Sequence, residues 1–211
     1  MRQPSKAADP AFIKALAEIA ARIAGPLAEL DSTRLPIRMY LAGGAAVHYY
    51  AGGRASADVD AVFSARMLLP EDLDVNYIDA HGKHRLLYFD RQYSDALALT
   101  HENAQDDSVP LTILGVDPRV LEIRALSPVD LAVSKIGRFE DHDRGDIETL
   151  ARAGLITADE VRRRANEALD YYVGGKDKVR TSIDLACRII EASAPPRSGA
   201  RRSSRDRSGS C

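Results

Sequence analysis

The sequence predicts an α+β fold in which a mixed β-sheet is flanked by helices and followed by a C-terminal helical bundle. Three observations predict it. Short apolar segments with strand character, separated by turn residues, fill much of the first 126 residues. A helical apolar pattern precedes them, and from residue 127 onward the apolar residues recur at helical spacing. We therefore assign an α/β core to residues 1–126, a helical region to 127–192 and a basic tail, expected to be disordered, to 193–211.

The first helix is predicted to begin at Asp9 and Pro10. Aspartate is a favoured N-cap, and proline is favoured at the first helical position. Gly25 and Pro26 predict the end of this helix or a kink in it. Its apolar face is formed by residues at helical spacing, namely Phe12, Leu16, Ile19 and Ile23.

Strands and turns alternate over the next hundred residues. A core strand is predicted at residues 37–41 and a short helix at 45–50. Residues 68–73 have the spacing of a short amphipathic helical turn. Further strands are predicted at residues 75–78 and 85–89, joined by a turn at 79–82, and then at 109–114 and 120–123.

The remaining elements are helices with recognisable first turns. Ser127 is a predicted N-cap, followed by proline at the first helical position and by Asp130 at the third. Thr157 and Glu160 have the spacing of a capping box. The last helix is predicted to stop before Pro195.

Composition narrows the class of protein. Hydrophobic residues make up 45% of the 211 residues, and no apolar run approaches the roughly 20 residues of a membrane span. The start of the chain does not resemble a secretory signal, and the two cysteines do not suggest a disulfide framework. We therefore expect a cytoplasmic protein that does not contact the membrane.

Charge is unevenly distributed along the chain. The formal net charge is -2, and the segment from Ser193 onward carries five arginines and one aspartate, or +4. The rest of the chain therefore carries -6. An acidic body argues against a broad nucleic-acid groove, which would show clustered basic residues.

Residues 40–63 contain the most informative pattern. Asp58 and Asp60 open a predicted strand, and residues two apart in a strand point to the same face. Two carboxylates on one face repel each other unless a cation lies between them. Oxygen ligands of this kind suit Mg2+, which binds through one or two carboxylates together with substrate phosphates.

Gly43 and Gly44 complete this pattern. They follow the predicted core strand and open the short helix. Glycine lets the backbone approach a ligand closely, and a helix N-terminus offers free N–H groups to a phosphate. A phosphate cradle beside two metal-binding carboxylates is the arrangement that phosphoryl or nucleotidyl transfer needs.

The ordered set formed by Gly43, Gly44, Ser56, Asp58 and Asp60 resembles the signature of the nucleotidyltransferase superfamily. The resemblance is nearest to minimal bacterial proteins related to the AbiEii toxin group. It implies a nucleotidyltransferase-like sheet, with Mg2+ held by Asp58 and Asp60. It further implies that the glycines and Ser56 bind the substrate. The other interpretation is a plain glycine turn followed by a strand-end aspartate.

Members of the superfamily that the chain resembles usually have a third carboxylate on a neighbouring strand. Asp90 is the first candidate for this catalytic acid, and Asp79 and Glu122 are alternatives. Arg54 lies in the loop before the aspartates, where related proteins often have a basic residue. It is therefore a candidate for contacting phosphate or, equally, for pairing with an acidic neighbour.

A second informative segment follows in the helical region. Lys135, Asp143 and Asp146 resemble the lysine and the paired aspartates of the AbiEii-type pattern, although His142 stands where arginine is frequent. The resemblance implies a catalytic role for Lys135 on the nucleotide phosphates. Asp143 and Asp146 share a helix face, so they are candidates for positioning Lys135 or the substrate. The alternative is a solvated charge cluster that includes Arg138.

The resulting hypothesis is a Mg2+-dependent enzyme that transfers a nucleotide from an NTP to a hydroxyl of RNA or protein. By resemblance, a toxin–antitoxin or phage-defence setting is expected, with tRNA as one acceptor and a cognate toxin or antitoxin as a partner. The alternative is an inactive binding module that retains the fold. A metal phosphohydrolase, suggested by His142 and Asp143, is a third and weaker interpretation.

Overall fold

The computed structural model describes residues 1–94 and 98–195 and confirms the α+β class. The residues of the predicted tail from 196 to 211 lie outside the described part. The helices are α1 (Pro10–Leu27), α2 (Gly43–Ala51), α3 (Pro128–Ile136), α4 (Asp141–Arg152), α5 (Ala158–Tyr171) and α6 (Lys176–Ser193). The strands are β1 (Ile37–Leu41), β2 (Asp58–Val59), β3 (Ala61–Phe63), β4 (Asp74–Ile78), β5 (His84–Phe89), β6 (Val109–Pro110) and β7 (Leu121–Ala125).

The strands form two mixed sheets where the sequence predicted one. The first has the order β3-β1-β7-β6, with β1 and β7 parallel, and the second has the order β2-β5-β4, with β2 and β5 parallel. The chain passes from one sheet to the other at Asp60, because Val59 pairs with Phe89 while Ala61 pairs with Leu41. The predicted strand is therefore two short strands, and the aspartate pair lies at the junction of the sheets.

Most predicted elements are confirmed, with small shifts of their ends. The Asp9 side chain caps α1 by accepting a hydrogen bond from the Ala11 N–H, and the helix continues past Pro26 to Leu27. The hairpin of β4 and β5 turns at the predicted residues. The capping box of Thr157 and Glu160 is present at the start of α5, and α6 ends at Ser193.

Two predictions of local structure were wrong. Residues 68–73 contain no helix, because Leu68 is exposed and only Leu73 of the predicted apolar face is buried. The strand predicted at residues 109–114 is limited to Val109–Pro110. Proline has no N–H to donate to a sheet, and this short strand lies at the edge of its sheet.

The helices predicted for the C-terminal region pack on the core as well as on one another. Helices α3 and α4 contact α2, while α5 and α6 contact α3 and each other, and α6 also contacts α4. The buried face of α2, which includes Ala45 and Val47, belongs to the same apolar core as Leu131 and Ile147. The core thus brings α3 and α4 next to the glycine turn. No helix in residues 1–94 or 98–195 is long and apolar enough to cross a membrane.

Candidate functional site

A cavity of about 720 Å³ opens where the junction of the two sheets meets the starts of α2 and α4. Nine of the ten predicted site residues line it, and Asp146 lies directly behind it. The residues that line the cavity are Gly43, Gly44, Arg54, Ser56, Asp58, Asp60, Asp90, Gln92, Tyr93, Ser94, Ala98, Ser134, Lys135, Arg138, His142 and Asp143.

Three aspartates converge on one side of this cavity, and we refer to Asp58, Asp60 and Asp90 as the carboxylate cluster. Strands β2 and β5 are parallel, with Asp58 beside Tyr88 and Val59 beside Phe89. Asp90 continues this pairing, because its N–H donates to the Val59 carbonyl over 3.1 Å. The pairing therefore places Asp90 next to Asp60, on the strand beside the aspartate pair.

The two alternative third acids lie elsewhere. Asp79 belongs to the turn between β4 and β5, where it accepts hydrogen bonds from the N–H groups of His81 and Lys83 and from Arg85. Glu122 lies on β7 and pairs with arginines on β1 and β7. Of the three candidates, only Asp90 lines the cavity.

Gly43 is in a conformation that favours glycine, and the neighbouring Asp60 leaves no room for a side chain. Its φ is +59°, and a Cβ atom at this position would lie 1.9 Å from Oδ2 of Asp60. Gly44 is crowded as well, since its Cβ would lie 2.9 Å from Oγ of Ser56 and 3.4 Å from an Arg54 nitrogen. The glycines therefore allow α2 to begin in contact with the carboxylate cluster. They also allow it to contact Arg54, which lies in the loop between α2 and Asp58.

Helix α2 has no side-chain cap, and its first turn lies at the cavity wall. The free N–H groups of a helix start carry partial positive charge and bind anions. Arg54 lies close to Gly44, so its guanidinium adds a full positive charge at the same wall. Ser56 donates a short hydrogen bond to Asp58, which orients that carboxylate. This wall is suited to phosphate oxygens.

The carboxylate cluster carries unbalanced negative charge. Burial, reinforced by the neighbouring Asp58, raises the pKa of Asp60 to about 6, although Lys135 and Arg138 act in the opposite direction. Among the described residues, no basic side chain forms an ion pair with any of the three aspartates. A cation bound between these carboxylates would remove the repulsion.

The donor set fits Mg2+ completed by a substrate. Within residues 1–94 and 98–195, no group of three or more histidine, cysteine, aspartate or glutamate side chains is arranged to hold a metal unaided. Mg2+ usually takes one or two carboxylates and completes its shell with water and phosphate oxygens. Asp58 and Asp60 offer such a pair beside a phosphate-binding wall.

The opposite wall contains a buried ionic group that we call the lysine cluster, formed by Lys135, Asp143 and Asp146. Lys135 Nζ lies 2.7 Å from Oδ2 of Asp146 and 3.6 Å from Oδ1 of Asp143. The three residues are 7%, 1% and 4% exposed, so the interpretation as a solvated charge cluster was wrong for them. The contact with Asp146 is an ion pair only, because that oxygen has no hydrogen-bond partner among the described residues.

Arg138 connects the lysine cluster to the cavity. Its Nε and Nη2 atoms each lie 2.9 Å from an oxygen of Asp143, in a two-pronged pairing. Although burial opposes the effect, these hydrogen bonds hold the pKa of Asp143 below its ordinary value. The side chain of Arg138 is 58% exposed and lines the cavity. It therefore presents a fixed positive charge next to Lys135.

Asp143 also shapes the start of α4. It accepts a hydrogen bond from the Glu140 N–H within a capping box. Its carboxylate is thus shared among this N–H, Arg138 and Lys135. His142 contacts Arg138 and lies 3.5 Å from Asp143. These pairings leave the histidine and aspartate poorly placed to form the metal site of a phosphohydrolase.

Seven of the lining residues were not predicted as site residues, although two of them, Arg138 and His142, entered the alternative interpretations. Gln92, Tyr93 and Ser94 lie two to four residues after Asp90, and Ser134 directly precedes Lys135. Their nearness in sequence to predicted site residues was a usable signal. Ala98 gave no such signal, because its position depends on how the segment after β5 returns to Gly137.

Two mixed sheets, a glycine turn, an aspartate pair and a cavity that is also lined by Arg54, Lys135 and Arg138 are compatible with the nucleotidyltransferase superfamily. Residues 18–186 match the sequence model of a family described as "Nucleotidyltransferase of unknown function (DUF6036)", and the chain belongs to that family. The match spans both the sheets and the helices that complete the cavity. No curated protein and no solved structure gives a significant match.

Proposed function

We propose that this protein is a Mg2+-dependent nucleotidyltransferase that moves a nucleoside monophosphate from an NTP to a hydroxyl group. The observation that carries the proposal is the convergence of the carboxylate cluster on Gly43 within a cavity that also contains Arg54 and Lys135. One wall is negative, and the other presents the cations Lys135 and Arg138, which are paired with Asp143 and Asp146. A nucleoside triphosphate with its metal ion needs both.

Each wall has a separate task in this proposal. The first turn of α2 and Arg54 bind phosphate oxygens, and Lys135 with Arg138 stabilises the negative charge that moves to the pyrophosphate leaving group. Mg2+ on Asp58 and Asp60 supplies further charge neutralisation when bound. Asp90 accepts the proton of the attacking hydroxyl, because it is the third carboxylate at the cavity.

The acceptor and the biological setting belong to the proposal as well. The resemblance to the AbiEii group supports a cytoplasmic toxin of a toxin–antitoxin or phage-defence pair that labels RNA, including tRNA, or protein. The family match supports nucleotide transfer without naming an acceptor. An NTP is the nucleotide donor whichever of these acceptors is used.

The proposal is tested by nucleotide transfer and by nucleotide binding. The protein is incubated with α-labelled NTPs and Mg2+, and the label is followed into macromolecules. Asp58→Asn and Asp60→Asn are expected to abolish transfer without loss of folding. Asp106→Asn serves as the matched control, because Asp106 is exposed and does not line the cavity.

Binding separates the enzyme from an inactive module. Titration calorimetry is expected to show NTP binding that depends on Mg2+ and is lost in Asp60→Asn. Absence of any metal-dependent NTP binding by the intact protein would overturn the proposal. It would instead favour a binding module that retains the nucleotidyltransferase fold.

A further inference from the structure

One face of the second sheet is uncovered next to the cavity. Successive side chains along β4 and β5 point to opposite faces of the sheet. Two residues that pair across these strands lie on the same face. We call this the outer face, and its apolar members are Ile78, Leu86 and Tyr88, which are 54%, 44% and 39% exposed. Its other members are polar, namely Asp74, Asn76 and His84. Three exposed apolar side chains on one sheet face next to the carboxylate cluster make the outer face a candidate binding surface.

The outer face is continuous with the carboxylate cluster. Tyr88 pairs directly with Asp58 across β2 and β5. Asp58, assisted by burial and by the other two aspartates, raises the pKa of Tyr88. Tyr88 therefore borders the carboxylate cluster at Asp58.

We assign the entry of the acceptor hydroxyl to this side of the carboxylate cluster, where Tyr88 lies beside Asp58. In an in-line transfer the attacking and leaving oxygens lie on opposite sides of the phosphorus atom. The leaving pyrophosphate is expected at the positive wall, next to the lysine cluster. A hydroxyl that approaches from the Asp58 side would pass next to Tyr88 of the outer face.

The charge of the site favours a basic acceptor. The carboxylate cluster, Asp143 and Asp146 provide five acids, while Arg54, Lys135 and Arg138 provide three bases. The site therefore has an excess of two negative charges, and an Mg2+–NTP complex adds more. The members of the outer face include no lysine or arginine. An acceptor with many phosphates would be repelled.

The chain itself contains a segment with the required chemistry. Residues 196–211 include five arginines, one aspartate and five serines. An extended segment of this length reaches about 50 Å, whereas the radius of gyration of a domain of this size is about 16 Å. The segment is therefore long enough to reach the outer face of the same molecule or of a second copy.

We propose that the outer face binds the arginine- and serine-rich segment 196–211 as an acceptor, so that the protein nucleotidylates its own serines. This inference rests on the proposed function. A serine Oγ forms a bond to the α-phosphorus of the NTP, and the bond from that phosphorus to the bridging oxygen of pyrophosphate breaks. The electron pair leaves with pyrophosphate, and the serine proton passes to a carboxylate of the cluster.

The test uses the full chain with NTP and Mg2+, followed by intact-mass measurement and peptide mapping. The expected result is a nucleoside monophosphate adduct on a serine within residues 196–211, absent in Asp60→Asn. The double variant Leu86→Ser, Tyr88→Ala is expected to reduce the adduct by about tenfold or more, as is typical for loss of central contact residues. Replacing the five tail arginines by glutamine is expected to have a similar effect.

Leu114→Ser is the matched control, because Leu114 is an exposed leucine that lies neither on the outer face nor at the cavity. It is expected to leave the adduct unchanged. Metal-dependent NTP binding should be retained in all of these variants except Asp60→Asn. Retained NTP binding with no adduct on the segment, or label that enters only RNA, would overturn this inference and leave the proposed function standing. Loss of NTP binding by the intact protein would overturn both.

Discussion

Gly43 is the residue at which backbone conformation and site chemistry are most tightly coupled. Its positive φ can be taken by other residues at a cost of about 1–2 kcal/mol. The additional constraint is the Asp60 carboxylate, which occupies the space of a Cβ atom. Any side chain at this position must therefore displace a carboxylate that we assign to Mg2+.

Gly43→Ala is expected to lower nucleotide transfer by about 100-fold or more, because a displacement of about 1 Å at the reacting groups has effects of this size. The matched control is Gly115→Ala. Gly115 has a φ of +80° and nothing within 4 Å of an added Cβ, so it shares the backbone strain without the clash. If Gly43→Ala lowers nucleotide transfer and Gly115→Ala does not, while both variants remain folded, the assignment of Asp60 to Mg2+ is supported. Equal transfer rates would contradict it.

Asp60 makes stability depend on pH. Because its pKa is about 6 in the folded protein and about 4 in the unfolded chain, the metal-free protein loses stability as the pH rises through this interval. Asp60→Asn should therefore be more stable than the wild type at pH 7.5, by up to about 3 kcal/mol, and no more stable below pH 4. Urea unfolding in a chelator at the two pH values measures the difference.

The same experiment contains its own check. Adding Mg2+ at pH 7.5 should stabilise the wild type and have little effect on Asp60→Asn, since ligand binding stabilises the folded state that binds it. A variant that is less stable than the wild type at pH 7.5 would show that Asp60 has a favourable partner in the folded protein.

Among the contacts between elements, the one between α3 and α4 contains a buried ion pair. Lys135 on α3 is buried against Asp146 on α4, and removing one partner of a buried pair leaves an uncompensated charge. The pair is therefore needed to hold α4 against α3. It also holds Lys135 at the cavity wall.

Asp146→Asn is expected to lower the free energy of unfolding by about 3 kcal/mol, because Lys135 stays buried with only the longer contact to Asp143. The double variant Lys135→Met, Asp146→Leu should recover most of this loss, since apolar residues often replace a buried pair without cost. Thermal unfolding measures both variants. The double variant should still lack nucleotide transfer, and transfer at the wild-type rate would show that Lys135 is purely structural.

The short strands β2 and β3 depend on their neighbours for stability. Neither is long enough to be stable alone, and each is held by a different sheet. The change of sheet at Asp60 brings the glycine turn after β1 and Asp90 after β5 to the same cavity. The site therefore depends on how both sheets meet.

For the whole molecule, the helical region completes the core as well as the cavity. Leu131, Ala132 and Val133 of α3 are fully buried in the same apolar cluster as α2. The residues before and after position 126, which the sequence analysis assigned to two regions, therefore share one apolar core. The family match, which spans residues 18–186, covers both parts.

A fragment of residues 1–126 is expected to remain unfolded or to aggregate, because the faces of α2 that contact α3 and α4 would be exposed to water. A chain that ends at Pro195 is the control and should keep the melting temperature of the full protein. Circular dichroism with thermal unfolding measures both. A cooperatively folded fragment would show that the core is complete without the helical region.

The order of residues along the chain was enough to predict the α+β class, the glycine turn, the aspartate pair and most helix starts. These features depend on local chemistry, such as capping, the conformational freedom of glycine and the alternation of strand side chains. The choice of Asp90 over Asp79 and Glu122, the split into two sheets and the burial of Lys135 followed from tertiary packing. They depend on which distant segments meet in space, and local sequence patterns do not contain that information.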